Sequence, residues 1–381
     1  MQLRSILAVA GAVALAACSD VQPTAPSAAQ VSPKFSQADQ AVGGVFVSTN
    51  GAQGNAVVAY ARAANGSLSY TGTFSTEGTG IGGTADPLTS QFALALSDNA
   101  KLLVVVNAGS NDVSSFAVDG GSLTLVDRAA SGGSRPVSVA ISQGYVYALN
   151  LLSNTIGVLA IGNDGALTPL PGKTKALAAG AAGAAEVRVS PNGQWLVVSE
   201  RVSNRLETFA VGKDGSLSDP VVTPAGGTTA FGFDFTPRGQ PIVSEAASAS
   251  ASSYNILANG SLSVVSAAAP TLQRATCWLI VDNSGRFAYT ANAGTSTITG
   301  FAIDADGTLT RLVDSGVSAD LGAGAGPLDL DMSRNGKFLY VLLNGAGMVG
   351  GFEVAGDGSL TSIGNTPGLG IRAGYMGLAA Y

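Results

Sequence analysis

Glutamates at 186, 200 and 245 and arginines at 135, 201 and 274 are the residues of this sequence best suited to chemistry. Carboxylates gathered round one opening raise each other's pKa and make a general base, and an arginine beside them steadies an oxyanion. Glu186 lies near the start of "AEVRVS" (185–190) and Glu200 ends "QWLVVSE" (194–200), so both belong to one strand pair. Glu245 ends the matching strand of the following segment, "QPIVSEA". Asp329, Trp278 and Phe231 sit where strands begin. The two aromatics read equally as a stacking platform for a ligand or as a plug. The charges at Glu200, Arg201 and Arg205 also read as ion pairs at a solvated rim.

The chain contains no histidine. A Ser-His-Asp triad, His-ligated zinc and an imidazole base are therefore excluded. Cys277 has no His to activate it and reads as a small buried hydrophobe. Asn107, Asn150, Asn292 and Asn344 end strands and read as amides that cap loops. "AIDADG" (302–307) lacks the further ligands of a calcium loop, and the glycines follow strands instead of opening helices. The reading assigns neither a metal nor a cofactor.

The elements that position these residues come from a repeat. "ANGSL", "GGSL", "NDGAL", "KDGSL", "ANGSL", "ADGTL" and "GDGSL" recur with turn glycines at 66, 121, 165, 215, 260, 307 and 358. A spacing of 44 to 55 residues, filled with strands and without helical periodicity, points to a propeller. Within one segment, "AEVRVS", "QWLVVSE", "RLETFAV" and the short "SLSDP" read as four strands in order, with "PNG" and "KDG" as hairpin turns. First strands begin near 90, 136, 185, 230, 276, 327 and 374. The last lacks a hairpin after it, and the N-terminal three strands lack a first. The expectation is an all-β, seven-bladed β-propeller of four-stranded blades over 43–381. The C-terminal strand pairs with the N-terminal three to close the ring and remove an open edge. This topology gathers Arg135, Glu186, Glu200, Arg201, Arg205, Glu245, Arg274, Trp278 and Asp329 on the face where first strands start, a place for a ligand pocket.

The second-strand pattern, seen in "NSGRFAYTANAG" and "SRNGKFLYVLLN", alternates with the Asp-Gly-Ser-Leu corners. Together they resemble the bacterial seven-bladed lactonases, a family that includes propeller-type 6-phosphogluconolactonases and carboxymuconate-cyclase-like proteins. The resemblance spans roughly 43–381 and is closest to a branch of lipoprotein-like or secreted members. It implies hydrolysis of a sugar-acid or other cyclic-ester lactone. Phosphogluconolactonase-like members carry a His-Pro-His stretch whose counterpart here is "GAAE" (183–186), so no catalytic His is carried over.

Only 12 % of the residues are charged and the net charge is −6, which argues against a nucleic-acid partner. Arg4 precedes the apolar run "ILAVAGAVALAA" (6–17), too short to span a bilayer and shaped like a signal-peptide core. "LAAC" (15–18) resembles a lipobox, which implies cleavage before Cys18 and lipidation of its thiol. Residues 18–42 read as a lipidated Cys with a Pro/Ser/Ala/Gln tether. The expected protein is a monomer held by its lipid in the bacterial cell envelope, at the outer membrane. A periplasmic or secreted form is the other reading. Its ligand is a small lactone or an unknown envelope partner. A non-catalytic propeller that binds a small ligand, a glycan or a protein stands beside the hydrolase, with the Gly-rich loop 75–90 and 173–186 as its contact elements.

Overall fold

The computed structural model describes residues 41–381; the expected signal sequence, Cys18 and most of the tether lie outside them. Seven antiparallel sheets follow one another round a ring. Blade 1 joins Gly43–Ser48, Ala56–Arg62 and Leu68–Ser75 to the C-terminal strand Met376–Ala380, which takes the innermost place. The innermost strands of blades 2 to 7 are Leu94–Leu96, Pro136–Ser142, Ala184–Val189, Ala230–Phe235, Thr276–Val281 and Pro327–Met332. The ring therefore closes as its strand count required. In the closing pair Phe46 opposes Ala379 and Val47 opposes Leu378. Arg62 Nε donates to the Tyr381 carbonyl at 3.0 Å, and the Tyr381 hydroxyl donates to Gly120 of blade 2 at 2.7 Å. The seam is thus held by side chains as well as by the ladder.

The repeated corner has a local cause. Gly66, Gly165, Gly215, Gly260, Gly307 and Gly358 take φ between 80° and 99°, a conformation open mainly to glycine. The Asn or Asp before each accepts from the backbone N–H two residues on, as Asn65 does from Ser67 and Asp357 from Ser359. The following Ser adds its hydroxyl to the same oxygen at positions 67, 216, 261 and 359. Leu123, Leu167, Leu262 and Leu309 then turn into the space between sheets. Blade 2 differs: its two-residue turn places Gly120, not Gly121, at positive φ. Blade 4 differs too. Only a single bridge joins Val211 to Leu217, and the outer strand forms at Val221–Pro224, after Pro220, which has no N–H for a ladder.

A second feature recurs where the innermost strands start. Arg135, Gly183, Thr229, Ala275 and Gly326 all have positive φ, and a register shift follows each one. The bulge re-aims the next side chain towards the axis. Because five blades repeat it, the backbone of Arg135 reflects the blade pattern and not a local strain.

Candidate functional site

The structure distributes the expected site residues over separate elements of the strand-start face. Ala184 pairs with Glu200 and Ala230 with Glu245, just as Pro136 pairs with Asn150 and Thr276 with Asn292. Glu200 and Glu245 thus occupy the slot that asparagines fill in blades 3 and 6. Both are fully buried. Glu245 accepts from Gly227 N at 2.6 Å and from the Ser250 and Ser252 hydroxyls at 2.7 and 2.6 Å. Glu200 accepts from Ala182 N at 3.1 Å, from the Ser203 hydroxyl and from Arg205 Nε. Arg205 also reaches Glu207 at 2.8 Å, so Glu200, Arg205 and Glu207 form one buried cluster. Burial pushes the Glu207 carboxyl up to about 8, helped by its neighbour Glu200.

Glu186 is not part of that cluster. Its Oε2 accepts from Phe233 N at 2.7 Å, and its Oε1 is buried without a partner. Burial raises its pKa well above the ordinary range, against the pull of Arg188 and the Phe233 N–H. Asp329 accepts from Phe92 N and Leu330 N at 2.9 and 3.0 Å and is pushed up to about 8 by burial. Arg274 is exposed and donates to the Gly294 carbonyl at 3.3 Å. Arg135 is half-buried, its N–H bound to Asn111. Arg201 is half-buried with its Nε unpartnered. Trp278 and Phe231, 1 % and 4 % exposed, meet edge to face with ring centroids 5.4 Å apart. Burial raises the Cys277 thiol far above its ordinary value, so it is no thiolate at neutral pH.

What fills this mouth is the loop after blade 1. Leu88–Phe92 crosses the axis and bonds to four blades. Ser90 Oγ donates to Val137 O at 2.8 Å, and Gln91 N to Ala185 O at 3.2 Å. The Gln91 amide mimics a strand, donating to Leu279 O at 2.7 Å and accepting from Leu279 N at 2.9 Å. Trp278 Nε1 donates to Ser90 O at 2.9 Å. Earlier in the loop, Asn344 Nδ2 holds the carbonyls of Thr84 and Ala85. Gly232 makes room for Gln91, since a Cβ there would lie 1.9 Å from its Oε1. The expectation that loop 75–90 is an outward contact element is therefore replaced for 88–90, which with Gln91 and Phe92 turn inwards as a plug. At its edge Asp86, partly exposed, has its carboxyl raised to about 7 by burial, against the opposing pull of the Thr89 N–H and nearby Arg201.

The opposite mouth, where first and second strands turn, is open. A cavity of about 430 Å³ there touches blades 2 to 6, and a lobe of about 250 Å³ extends to blades 1 and 7. At its floor Arg188 Nη2 meets Asp234 Oδ1 at 2.8 Å, and the guanidinium carbon lies 4.1 Å from the centroid of the Phe92 ring. Burial works against the Arg188 charge, but Asp234 and Glu186 outweigh it and hold its pKa up. Asp234 also accepts from Phe235 N and Val281 N, and Asp331 from Met332 N and Ala380 N. These two carboxylates staple neighbouring innermost strands together. Arg188, Asp234 and Asp331 were not among the expected site residues. The available signal was charge inside innermost strands that are otherwise apolar: "EVRV", "FDF" and "DLDM". Among the described residues no three Cys, Asp or Glu side chains group as a metal site.

The comparisons with known proteins agree with this architecture. The family model "Lactonase, 7-bladed beta-propeller" matches residues 46–176, 143–280 and 279–373. A 6-phosphogluconolactonase of Sodalis glossinidius is 30 % identical over 121 residues, covering 31 % of this chain and 37 % of that protein. A 6-phosphogluconolactonase of Serratia proteamaculans is 29 % identical over 140 residues, covering 34 % and 42 %. The matched region thus spans less than half the length of these curated relatives. A crystal structure from Bacteroides fragilis superposes with a TM-score of 0.72 at 19 % identity, covering 92 % of this chain and 99 % of that one. The periplasmic gluconolactonase PpgL of Pseudomonas aeruginosa gives 0.69 at 17 % identity, with 89 % and 98 % covered. These two share the fold. With seven closed blades and a family match running from residue 46 to 373, the chain belongs to the seven-bladed β-propeller lactonase family.

Proposed function

We propose that this chain uses the lactonase scaffold to bind a ligand and does not open lactone rings by the histidine-assisted route. The observation that carries the reading is the plug. Leu88–Phe92 occupies the strand-start mouth; of the carboxylates expected there, Glu200 and Glu245 spend their lone pairs on loops, and Glu186, whose Oε1 has no partner, is fully buried. A base needs reach to a water or substrate proton, and a carboxylate saturated by structural donors lacks it. We place the binding propeller in the cell envelope through lipid on Cys18, as a monomer on a flexible tether.

A hydrolytic reading has one observation in its favour. Asp86 sits partly exposed beside Arg201 with its proton affinity raised to about 7, which suits a base near neutral pH. One experiment separates the two. Purified protein is incubated with sugar-acid, muconate-type and acyl-homoserine lactones, alone and as Asp86→Asn, Glu186→Gln, Glu200→Gln and Glu245→Gln variants. The binding reading expects no turnover above the spontaneous rate. Turnover that vanishes in Asp86→Asn would replace it with a hydrolase. Labelling with a palmitate analogue, lost in Cys18→Ala, tests the anchor.

A further inference from the structure

We infer that the open axial cavity is a binding site for a small monocarboxylate with a compact apolar body, seated on Arg188. The inference rests on the binding reading above and names its site and ligand class. Arg188 is fixed from two sides, by Asp234 at 2.8 Å and by the Phe92 ring beneath it at 4.1 Å. Its fork is therefore set before a ligand arrives, which lowers the ordering cost of binding. Among the described residues Asp234 is its only protein acceptor, and the side chain is 30 % exposed to the cavity. The other N–H groups of the guanidinium have no acceptor among the described residues, and a guanidinium fork matches a planar carboxylate.

The surroundings select the rest of the ligand. Asp234 and Asp331 flank the guanidinium with their oxygens already bound to backbone N–H groups. The Asp234 charge, already paired with Arg188, opposes a dianion such as phosphate more than a single carboxylate. Above the floor Ala95, Ile141, Val189, Phe235 and Val281 form an apolar strip of wall for the ligand's body, beside the polar Asp282 and Asn283. At the rim Asp98 is exposed and has no hydrogen-bond partner among the described residues, so it can take one hydroxyl at the far end of the ligand. A cavity of about 430 Å³ holds a single aromatic ring with its substituents.

Calorimetric titration with 4-hydroxybenzoate tests this, with 4-hydroxybenzyl alcohol as the uncharged isostere and inorganic phosphate as the dianion. The benzoate should bind at least about tenfold more tightly than the alcohol, which lacks the charge-assisted bidentate contact, and more tightly than phosphate, whose second charge meets Asp234. Arg188→Gln should weaken it by about tenfold or more, and Ala95→Phe, which fills the cavity, should do the same. Melting curves establish that each variant is folded; if Arg188→Gln is not, Ala95→Phe decides alone. Equal binding of alcohol and benzoate, binding untouched by Ala95→Phe, or no heat up to about 10 mM benzoate would overturn the site. Lactone turnover would overturn the proposed function and leave this result standing, whereas absent benzoate binding refutes only the site.

Discussion

Trp278 is the residue whose removal should loosen the plug. Its ring is buried against Phe231, and its N–H is donated to the carbonyl of Ser90, 188 residues away in sequence. Truncation to Ala empties a large core volume, which costs about 3–5 kcal/mol in such sites. It also strands the Ser90 carbonyl, so the loss should fall near the upper end, about 5 kcal/mol. Trp278→Phe keeps an aromatic ring beside Phe231 and removes only the N–H together with some volume. Its expected cost is about 1–3 kcal/mol, the penalty for one buried acceptor left unpaired. Urea unfolding reads both values as midpoint shifts at constant slope. Hydrogen exchange supplies the spatial test. The amides of Thr89, Gln91 and Phe92, bound to Asp86, Ala185 and Asp329, should lose protection in Trp278→Phe. Those of Ala56–Arg62 in blade 1 should not. If Trp278→Phe matches the parent in midpoint and in exchange at 89–92, the tryptophan does not hold the plug and the account of the closed mouth is wrong.

Stability should fall as pH rises from 5 to 8, because buried carboxyls keep protons that the unfolded chain releases. Asp331, Asp329 and Glu207 are raised from 3.8, 3.8 and 4.5 to about 7, 8 and 8, and Glu186 is raised as well. Their contribution is complete below the unfolded values and is lost as pH climbs through the folded ones. Melting temperatures should therefore drop across that range, and Glu186→Gln should flatten part of the slope; a rise would contradict the protonated assignment. Arg205→Met leaves the buried Glu200 without its cation and Glu207 without one of its donors, and should cost about 3–5 kcal/mol by urea unfolding. The triple variant that also carries Glu200→Gln and Glu207→Gln should regain most of that loss. An unstable triple variant with a stable Arg205→Met would reverse the argument.

The blades were legible because their signals are local. Asn-Gly and Asp-Gly corners state a backbone conformation within two residues, and the orphan strands at the two ends leave one way to close the ring. The site was less legible because its contacts are not local. Ser90 and Gln91 meet Trp278 and Leu279 across 188 residues, and nothing in "ADPLTSQ" marks a loop that turns inwards. Residue type could place the charged side chains on one face, yet not tell which mouth of the ring is open. Arg188 lies only two positions beyond Glu186 in the same strand, but that step carries it towards the other end of the channel.

The blades also distinguish upkeep from specialisation. A position that does the same work in several blades belongs to the scaffold. The end of each second strand is such a position. Asn150 and Asn292 bind loop and strand groups there, and Glu200 and Glu245 do so with carboxylates. A carboxylate at that slot therefore has a structural task before any chemical one. The innermost strands behave otherwise. At the position of Arg188 the register places Ala140 in blade 3, Asp234 in blade 5, Ile280 in blade 6 and Asp331 in blade 7. Asp234 and Asp331 share the task of stapling neighbouring strands, but the alanine, the isoleucine and Arg188 do not. That divergence makes the floor of the open mouth asymmetric, which the proposed ligand site would use.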